Sequence, residues 1–267
     1  MGRIIKPWST EFSEKLQELN LPFQTVLQDN FKLLSIGDGK LMVNLLDLGN
    51  SVKPEELLAL QNTYKPDNIQ VIQLWEDVWR NRQAQVLARL QSFLGRNAKI
   101  HARKTSIIEL SQVQVDEFLN ENHLQLSVGA KFRFGLVANG QLVAVACFSR
   151  LRKMRNADGL YTSAELIRFA NLLGVTVIGG FTKLLSHFIN IYKPNDIMSY
   201  ADKDWSIGSA YERSGFSMVD GTDPCKILVH KETLTRVFPH RLAENTDLAY
   251  YHEVYNTGNL KYILSCG

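Results

Sequence analysis

The sequence predicts a mixed α+β (α-β) protein: a small mixed-sheet N-terminal domain, residues 1–98, and a larger α-β domain, residues 99–267. Three observations predict it. Gly37-Asp38-Gly39 and Asn139-Gly140 each sit between two apolar runs, which is the signature of an antiparallel hairpin. PEELLALQNTY and FTKLLSHFINIY read as helices between short apolar runs that read as strands. Strands alternating with helices give sheet layers covered by helices.

The elements follow in order. Residues 8–30 place Phe12, Leu16 and Leu19 at helical spacing. Strands FKLLSIG and KLMVNLLDL form the first hairpin. Pro54 opens the helix PEELLALQNTY, where a proline costs nothing. IQVIQLWEDVW reads as a buried strand running into a helix over about 78–95, with Gly95 as its left-handed stop. NAKIHARKTSIIEL reads as a connector. A helix over about 112–122 precedes strands KFRFGLVAN and QLVAVACFSRL. The basic segment RLRKMRNADG reads as a loop, ELIRFANLL as a strand and GVTVIGG as a loop before the helix FTKLLSHFINIY. Strand DIMSYAD, short helix SAYERSGF and strands FSMVD and KILVH complete the readable part.

Composition bounds the function. The chain has 267 residues, 45% hydrophobic and 21% charged, enough apolar material for about two folded domains. That excludes wholesale disorder. No apolar run approaches the ~18 residues that span a bilayer, and MGRIIKPWSTEF lacks the apolar core of a secretory signal. Cys147, Cys225 and Cys266 are scattered, without a CxxC, so neither a disulfide framework nor a zinc site is expected. The expectation is a soluble, cytoplasmic protein with no membrane partner. A net charge of +3 neither demands nor excludes nucleic acid, and nothing fixes the oligomeric state.

Several residues carry chemistry. Gly179-Gly180 lie between a strand and a helix, where freed backbone N–H groups from Ile178, Gly179, Gly180, Phe181, Thr182 and Lys183 can bind a pyrophosphate. Arg168 is a charge inside an apolar strand, so it must be paired or face a site. Glu165 should point to the opposite face, which leaves Asp202, at a strand's C-terminal end, as its candidate partner. His123 ends a helix and can move protons near neutrality. Tyr211 is a phenol able to act as an acid. Arg150, Arg152, Lys153 and Arg155 put four cations in six residues, a phosphate-contacting pattern. Arg236, His240 and Arg241, with Phe238, could extend it. Each has a plainer reading: turn, helix cap, core packing or solvated surface.

The order strand, Gly-Gly loop, helix, strand, then Tyr211-x-x-x-Gly215-Phe216 over residues 165–216 resembles the acyl-CoA-binding core of the GNAT acyltransferase superfamily. The resemblance implies acetyl-CoA or another acyl-CoA as cofactor, held at residues 178–183. It implies Tyr211 as the acid that protonates the departing thiolate, with Arg168, Asp202 and His123 lining the acceptor side. The loop Thr176-Val-Ile-Gly179-Gly180-Phe181 lacks the family's leading basic residue. HARKTSIIEL, FLNENHLQ, ELIRFANLL, VIGGFTKLL and SYADKDWSIGSAYERSGF together resemble a phage-associated branch that includes Mom-type DNA-modification proteins and domains of homing endonucleases. That resemblance covers about residues 99–240 and implies DNA as partner, with a nucleobase as acceptor.

VIQLWEDVWRNRQAQVLARLQSFLG resembles the closing strand and helix of very-short-patch-repair endonucleases of the PD-(D/E)xK class. Their chemistry needs acidic residues on adjacent strands to hold Mg²⁺. Asn44 stands about where that class has its metal-binding Glu, which implies a degenerate nuclease-like domain. Asp38, Asp47 and Glu76 are the remaining local acids. Three rivals stay open: a catalytically silent DNA-binding protein, a Mg²⁺-dependent endonuclease, and an acetyltransferase acting on small molecules or proteins.

Overall fold

The computed structural model describes residues 6–156 and 159–266. In chain order its elements are α1 (Trp8–Glu18), β1 (Phe23–Gln28), β2 (Phe31–Ile36), β3 (Leu41–Leu46), α2 (Pro54–Tyr64), β4 (Gln70–Trp75), α3 (Glu76–Phe93), β5 (Ala98–His101), β6 (Ser106–Glu109), α4 (Gln112–Asn122), β7 (Phe132–Ala138) and β8 (Gln141–Phe148). There follow β9 (Arg152–Asn156), β10 (Gly159–Asn171), β11 (Val175–Ile178), α5 (Gly180–Tyr192), β12 (Asp196–Asp202), α6 (Ser209–Glu212), β13 (Ser217–Gly221), β14 (Lys226–His230), β15 (Arg236–Val237), β16 (Tyr251–Tyr255) and β17 (Asn259–Ser265). The mixed α+β class is as expected. No helix of the described residues is long and apolar enough to cross a membrane.

The chain forms two compact units. The first comprises Met1–Gln83, Asp202–Ile207 and Gly221–Asn259; the second comprises Ala84–Ala201, Gly208–Asp220 and Leu260–Gly267. A division at residue 98 therefore differs from the observed one. The physical reason is that Ile227 and Val229 of β14 and Val254 of β16 are buried with Leu33, Met42 and Trp75 in one core.

The first unit is a four-stranded sheet in the order β1-β2-β3-β4. β1, β2 and β3 pair antiparallel, and β4 lies parallel to β3. Trp8, Phe12 and Leu16 form the buried stripe of α1, one every fourth residue. The expected helix over 8–30 stops at Glu18 because Asn20 turns left-handed (φ 52°), and the chain continues through Pro22 into β1. Leu57 and Leu60 of α2 join the sheet core. Trp75 and Trp79 are core residues rather than exposed stacking surfaces, with Phe12 edge-on to Trp79 at 4.9 Å.

The second unit carries a sheet in the order β13-β17-β12-β10-β8-β7-β6, with β9 paired to β10. Asn139 (φ 50°) and Gly140 (φ 78°) make the expected β7–β8 turn. Successive residues of β8 alternate between two cores. Ala144, Ala146 and Phe148 pack with Leu184, Leu185 and Phe188 of α5. Val145 and Cys147 pack with Val115, Phe118 and Leu119 of α4. Three segments read as irregular are strands. RLRKMRNADG contains β9, paired antiparallel to β10 from Ser163↔Arg152 to Gly159↔Asn156. GVTVIGG contains β11, and NAKIHARKTSIIEL contains β5 and β6. β11 and β5 pair in parallel, Val175↔Ala98 to Ile178↔His101. That partner lies far away in sequence, so no local pattern announces it.

Candidate functional site: a fork between two parallel strands

β10 and β12 are parallel and share three rungs: Ser163↔Asp196, Ala164↔Ile197 and Glu165↔Met198. The ladder then stops, while β10 runs on to Asn171 and β12 to Asp202. At the same point the β10–β8 register shifts between Leu166 and Arg168, so a bulge bends β10. The sheet thus forks at the C-terminal ends of a parallel pair, where α/β proteins place ligands.

Ser199 is the next residue of β12 after the last rung, and it is 1% exposed. Its hydroxyl donates to the Leu166 carbonyl at 2.8 Å, standing in for a lost ladder bond. The same oxygen lies 3.0 Å from the phenol oxygen of Tyr211. The Tyr211 ring is held on several sides. It stacks on Tyr262 at 5.1 Å and meets Phe181 edge-on at 5.7 Å and Phe216 at 5.4 Å. Gly208, left-handed at φ 85°, caps α6, and a Cβ there would overlap the Tyr262 hydroxyl. Only glycine fits that position. Burial pushes the Tyr211 phenol above its usual range; the Ser199 hydrogen bond and the charges of Arg89 and Arg168 pull the other way. Burial and the Glu212 carboxylate push Tyr262 up to about 12.

Phe181 belongs to the first turn of α5, so the fork brings the expected cofactor loop and Tyr211 into contact. Gly179 is the N-cap in the left-handed conformation (φ 75°), without a side-chain cap. Of the amides expected to hold phosphate, that of Lys183 is spent on the Gly179 carbonyl. The helix itself provides no partner for those of Gly180, Phe181 and Thr182. Lys183 does not serve as the loop's cation. Its ammonium donates to Ala102 O (2.9 Å), Thr105 O (2.5 Å) and Thr105 Oγ1 (3.2 Å), which uses all three donors. Those acceptors lie in and just after a 3₁₀ turn, Ala102–Lys104, in the segment read as a connector. His101 pairs with Ile178 across β5–β11, and a Cβ on Gly179 would meet Ala102 at 3.7 Å. Exposed His101, Arg103 and Lys104 therefore flank the α5 N-terminus. Three basic residues within the tetrapeptide HARK were the signal for them.

The other expected residues separate. Arg168 pairs in register with Cys147 and so faces α4 rather than α5; its Nη1 donates to the Ile167 carbonyl at 2.8 Å. Its charge nonetheless acts on Tyr211. His123 is the C-cap of α4, and its Nδ1 accepts the Gln125 amide at 3.0 Å. Asn122 accepts the Leu173 amide, which ties that helix end to the end of β10. Asp202 falls in the first unit, where its Oδ1 accepts the Asp204 amide at 3.0 Å and shapes a turn.

Arg150, Arg152 and Lys153 are exposed on and beside β9, with Arg152 4.0 Å from Glu165. The Arg155 side chain lies outside the described residues. Arg236 does not extend this track. It binds Asp77 in a bidentate pair, at 2.6 and 3.0 Å, and Asp77 is 2% exposed. Phe238 stacks on His240 at 5.7 Å, and the Arg241 guanidinium lies 5.9 Å from the Phe238 ring.

In the first unit, Asn44 is fully buried and donates to Gln73 at 2.8 Å. The three local acids have local duties. Asp38 accepts the Lys40 amide, Asp47 the Trp8 indole, and Glu76 the Leu48 amide and Arg80. Among the described residues no group of three His, Cys, Asp or Glu side chains is placed to hold a metal.

No family model matches the chain, and no curated protein matches it. Among solved structures it is similar to the ribosomal-protein-S18-alanine N-acetyltransferase of Escherichia coli, at 13% identity over 61% of this chain and 94% of that one, TM-score 0.37. It is also similar to a Bacillus subtilis acetyltransferase in complex with CoA, at 15% over 61% and 99%, TM-score 0.38. A third is a GNAT family acetyltransferase from Elizabethkingia anophelis with acetyl-CoA bound, at 12% over 61% and 98%, TM-score 0.36.

Proposed function

We propose that the second unit is an acyl-CoA-dependent N-acyltransferase of the GNAT type, taking acetyl-CoA or another acyl-CoA and acting on a nucleobase in DNA. The observation that carries the proposal is the convergence of three features at one fork: the interrupted β10–β12 ladder, the first turn of α5 and the Tyr211 phenol. In this reading the amides of Gly180, Phe181 and Thr182 hold the pyrophosphate at the positive end of the α5 dipole. Arg103 and Lys104 supply the charge that the loop lacks and that Lys183, bound to carbonyls, does not. Bound acyl-CoA supplies an activated thioester. Tyr211 holds the proton that the departing sulfur takes. The attacking nitrogen releases one proton to solvent, and the phenol regains one, so the transfer is balanced. The exposed cations Arg150, Arg152 and Lys153 support a polyanionic partner, because such contacts give affinity without sequence preference.

Labelled acetyl-CoA incubated with duplex DNA tests the whole proposal. Label transferred to DNA by the native chain, and lost with Tyr211→Phe, is the expected result. Transfer to small amines or peptides but not to DNA would overturn the acceptor. A salt-sensitive gel shift without transfer would overturn catalysis in favour of a silent DNA-binding protein.

A further inference from the structure

Ser199 is a buried serine of β12, and its position is unusual. It is the first residue beyond the last β10–β12 rung, it is buried, and its hydroxyl bridges both strands and the Tyr211 phenol. Proton bookkeeping follows from the acceptors. A hydroxyl has one proton. The Leu166 carbonyl can only accept, and it lies at 2.8 Å, so the Ser199 proton points there. The Tyr211 proton then points to Ser199 Oγ at 3.0 Å; the Tyr200 carbonyl, its other acceptor, is at 3.4 Å. The resting chain is Tyr211 O–H to Ser199 O–H to Leu166 C=O.

This chain has two states. When the phenol keeps its proton, Ser199 donates to Leu166. When the phenol loses it, rotation of one O–H bond turns Ser199 from the Leu166 carbonyl to the phenolate, without moving a heavy atom. A hydrogen bond to a charged oxygen is about twice as strong as one to a neutral oxygen. The Tyr211 ring cannot swing to another partner, because Tyr262, Phe181 and Phe216 hold it.

We propose that Ser199 is a positioning residue for Tyr211: it fixes the resting phenol at the fork and turns to stabilise the phenolate once the proton has gone to the departing sulfur. The catalytic part of this inference rests on the acyltransferase reading; the hydrogen-bond switch does not. In that part the Tyr211 O–H bond breaks and an S–H bond forms, the electron pair stays on the phenolate, and solvent returns the proton.

The test is a spectroscopic titration of tyrosinate in the full chain, with the Tyr211→Phe spectrum subtracted so that Tyr211 alone is read. Ser199→Ala should make Tyr211 about a tenfold weaker acid, and Ser199→Thr, which keeps the hydroxyl, should restore it. Should Ser199→Ala not fold, Ser199→Cys, a poorer donor, should give a smaller shift of the same sign. A Tyr211 titration unchanged by Ser199→Ala or Ser199→Cys overturns the proposal. If the titration shifts as expected but labelled acetyl-CoA gives no transfer, the switch stands and the acyltransferase reading falls. If transfer occurs, the basic limb of its pH profile should move with the same variants.

Discussion

Asp204 offers the sharpest test of the electrostatics. It is 3% exposed and accepts two hydrogen bonds from Thr257, from the amide at 2.8 Å and the hydroxyl at 2.7 Å. Burial and the neighbouring Asp202 carboxylate push its pKa from 3.8 up to about 7, although the Thr257 hydrogen bonds and Arg236 pull it down. A carboxyl whose pKa is higher folded than unfolded binds a proton on folding. Its stability contribution is complete below the unfolded value of 3.8 and is lost as pH rises through the folded value of about 7. Between pH 5 and pH 8 those two pKa values imply a loss of about 2.6 kcal/mol. Asp204→Asn keeps an oxygen for both Thr257 donors and carries no charge. Urea unfolding of both proteins at the two pH values measures the difference. The stability advantage of the Asn variant over the native chain should be larger at pH 8 than at pH 5 by about that amount. Equal pH dependence in the two proteins would refute the reasoning, because it would mean that Asp204 does not titrate in this range.

Three further outcomes follow. Tyr211→Phe should lower kcat for acyl transfer by about 10²–10⁴-fold while leaving acetyl-CoA affinity within a factor of about two, read by steady-state kinetics and calorimetry. Arg103→Glu with Lys104→Glu, both exposed, should weaken acetyl-CoA binding by about tenfold or more without lowering Tm, since neither cation is buried. Reversing Arg150, Arg152 and Lys153 to Glu should weaken DNA binding and reduce its salt slope by about 0.9 for each phosphate that is no longer neutralised.

What the sequence made legible was local. Asn139-Gly140 needs left-handed backbone at both residues, and few other dipeptides adopt it. Helices Pro54–Tyr64 and Gln112–Asn122 carry their own boundary signals, a proline at the first turn and a Ser111–Gln114 capping box. The order of elements around Tyr211 and Gly179-Gly180 was also readable, and the structure puts Phe181 of that loop against Tyr211. What escaped was long-range. β11 has only four residues and depends on β5 for its hydrogen bonds, so its polar and glycine flanks read as a loop. Strands β14 to β16 join a core begun about two hundred residues earlier, which no linear division into two domains could express. Lys183 stands one helical turn beyond the loop, from where its charge could reach a phosphate; three oxygens of the neighbouring turn claim it first. Ser199 carried no motif at all. Its meaning comes from standing where a parallel ladder ends, a property of two strands and not of one.

Gly180 is unsuitable as a probe of the cofactor site, because a Cβ there would lie 2.9 Å from the Val177 side chain and disturb the core. Thr182 is exposed on the first turn of α5, and a carboxylate there suits the helix while opposing a phosphate. Calorimetric titration of acetyl-CoA into the native chain and into Thr182→Glu therefore tests the central claim most directly. The account predicts a dissociation constant on the order of micromolar for the native chain and loss of binding in the variant, with Tm unchanged. Absence of heat at millimolar acetyl-CoA in the folded native chain, or binding that ignores the introduced carboxylate, would contradict it.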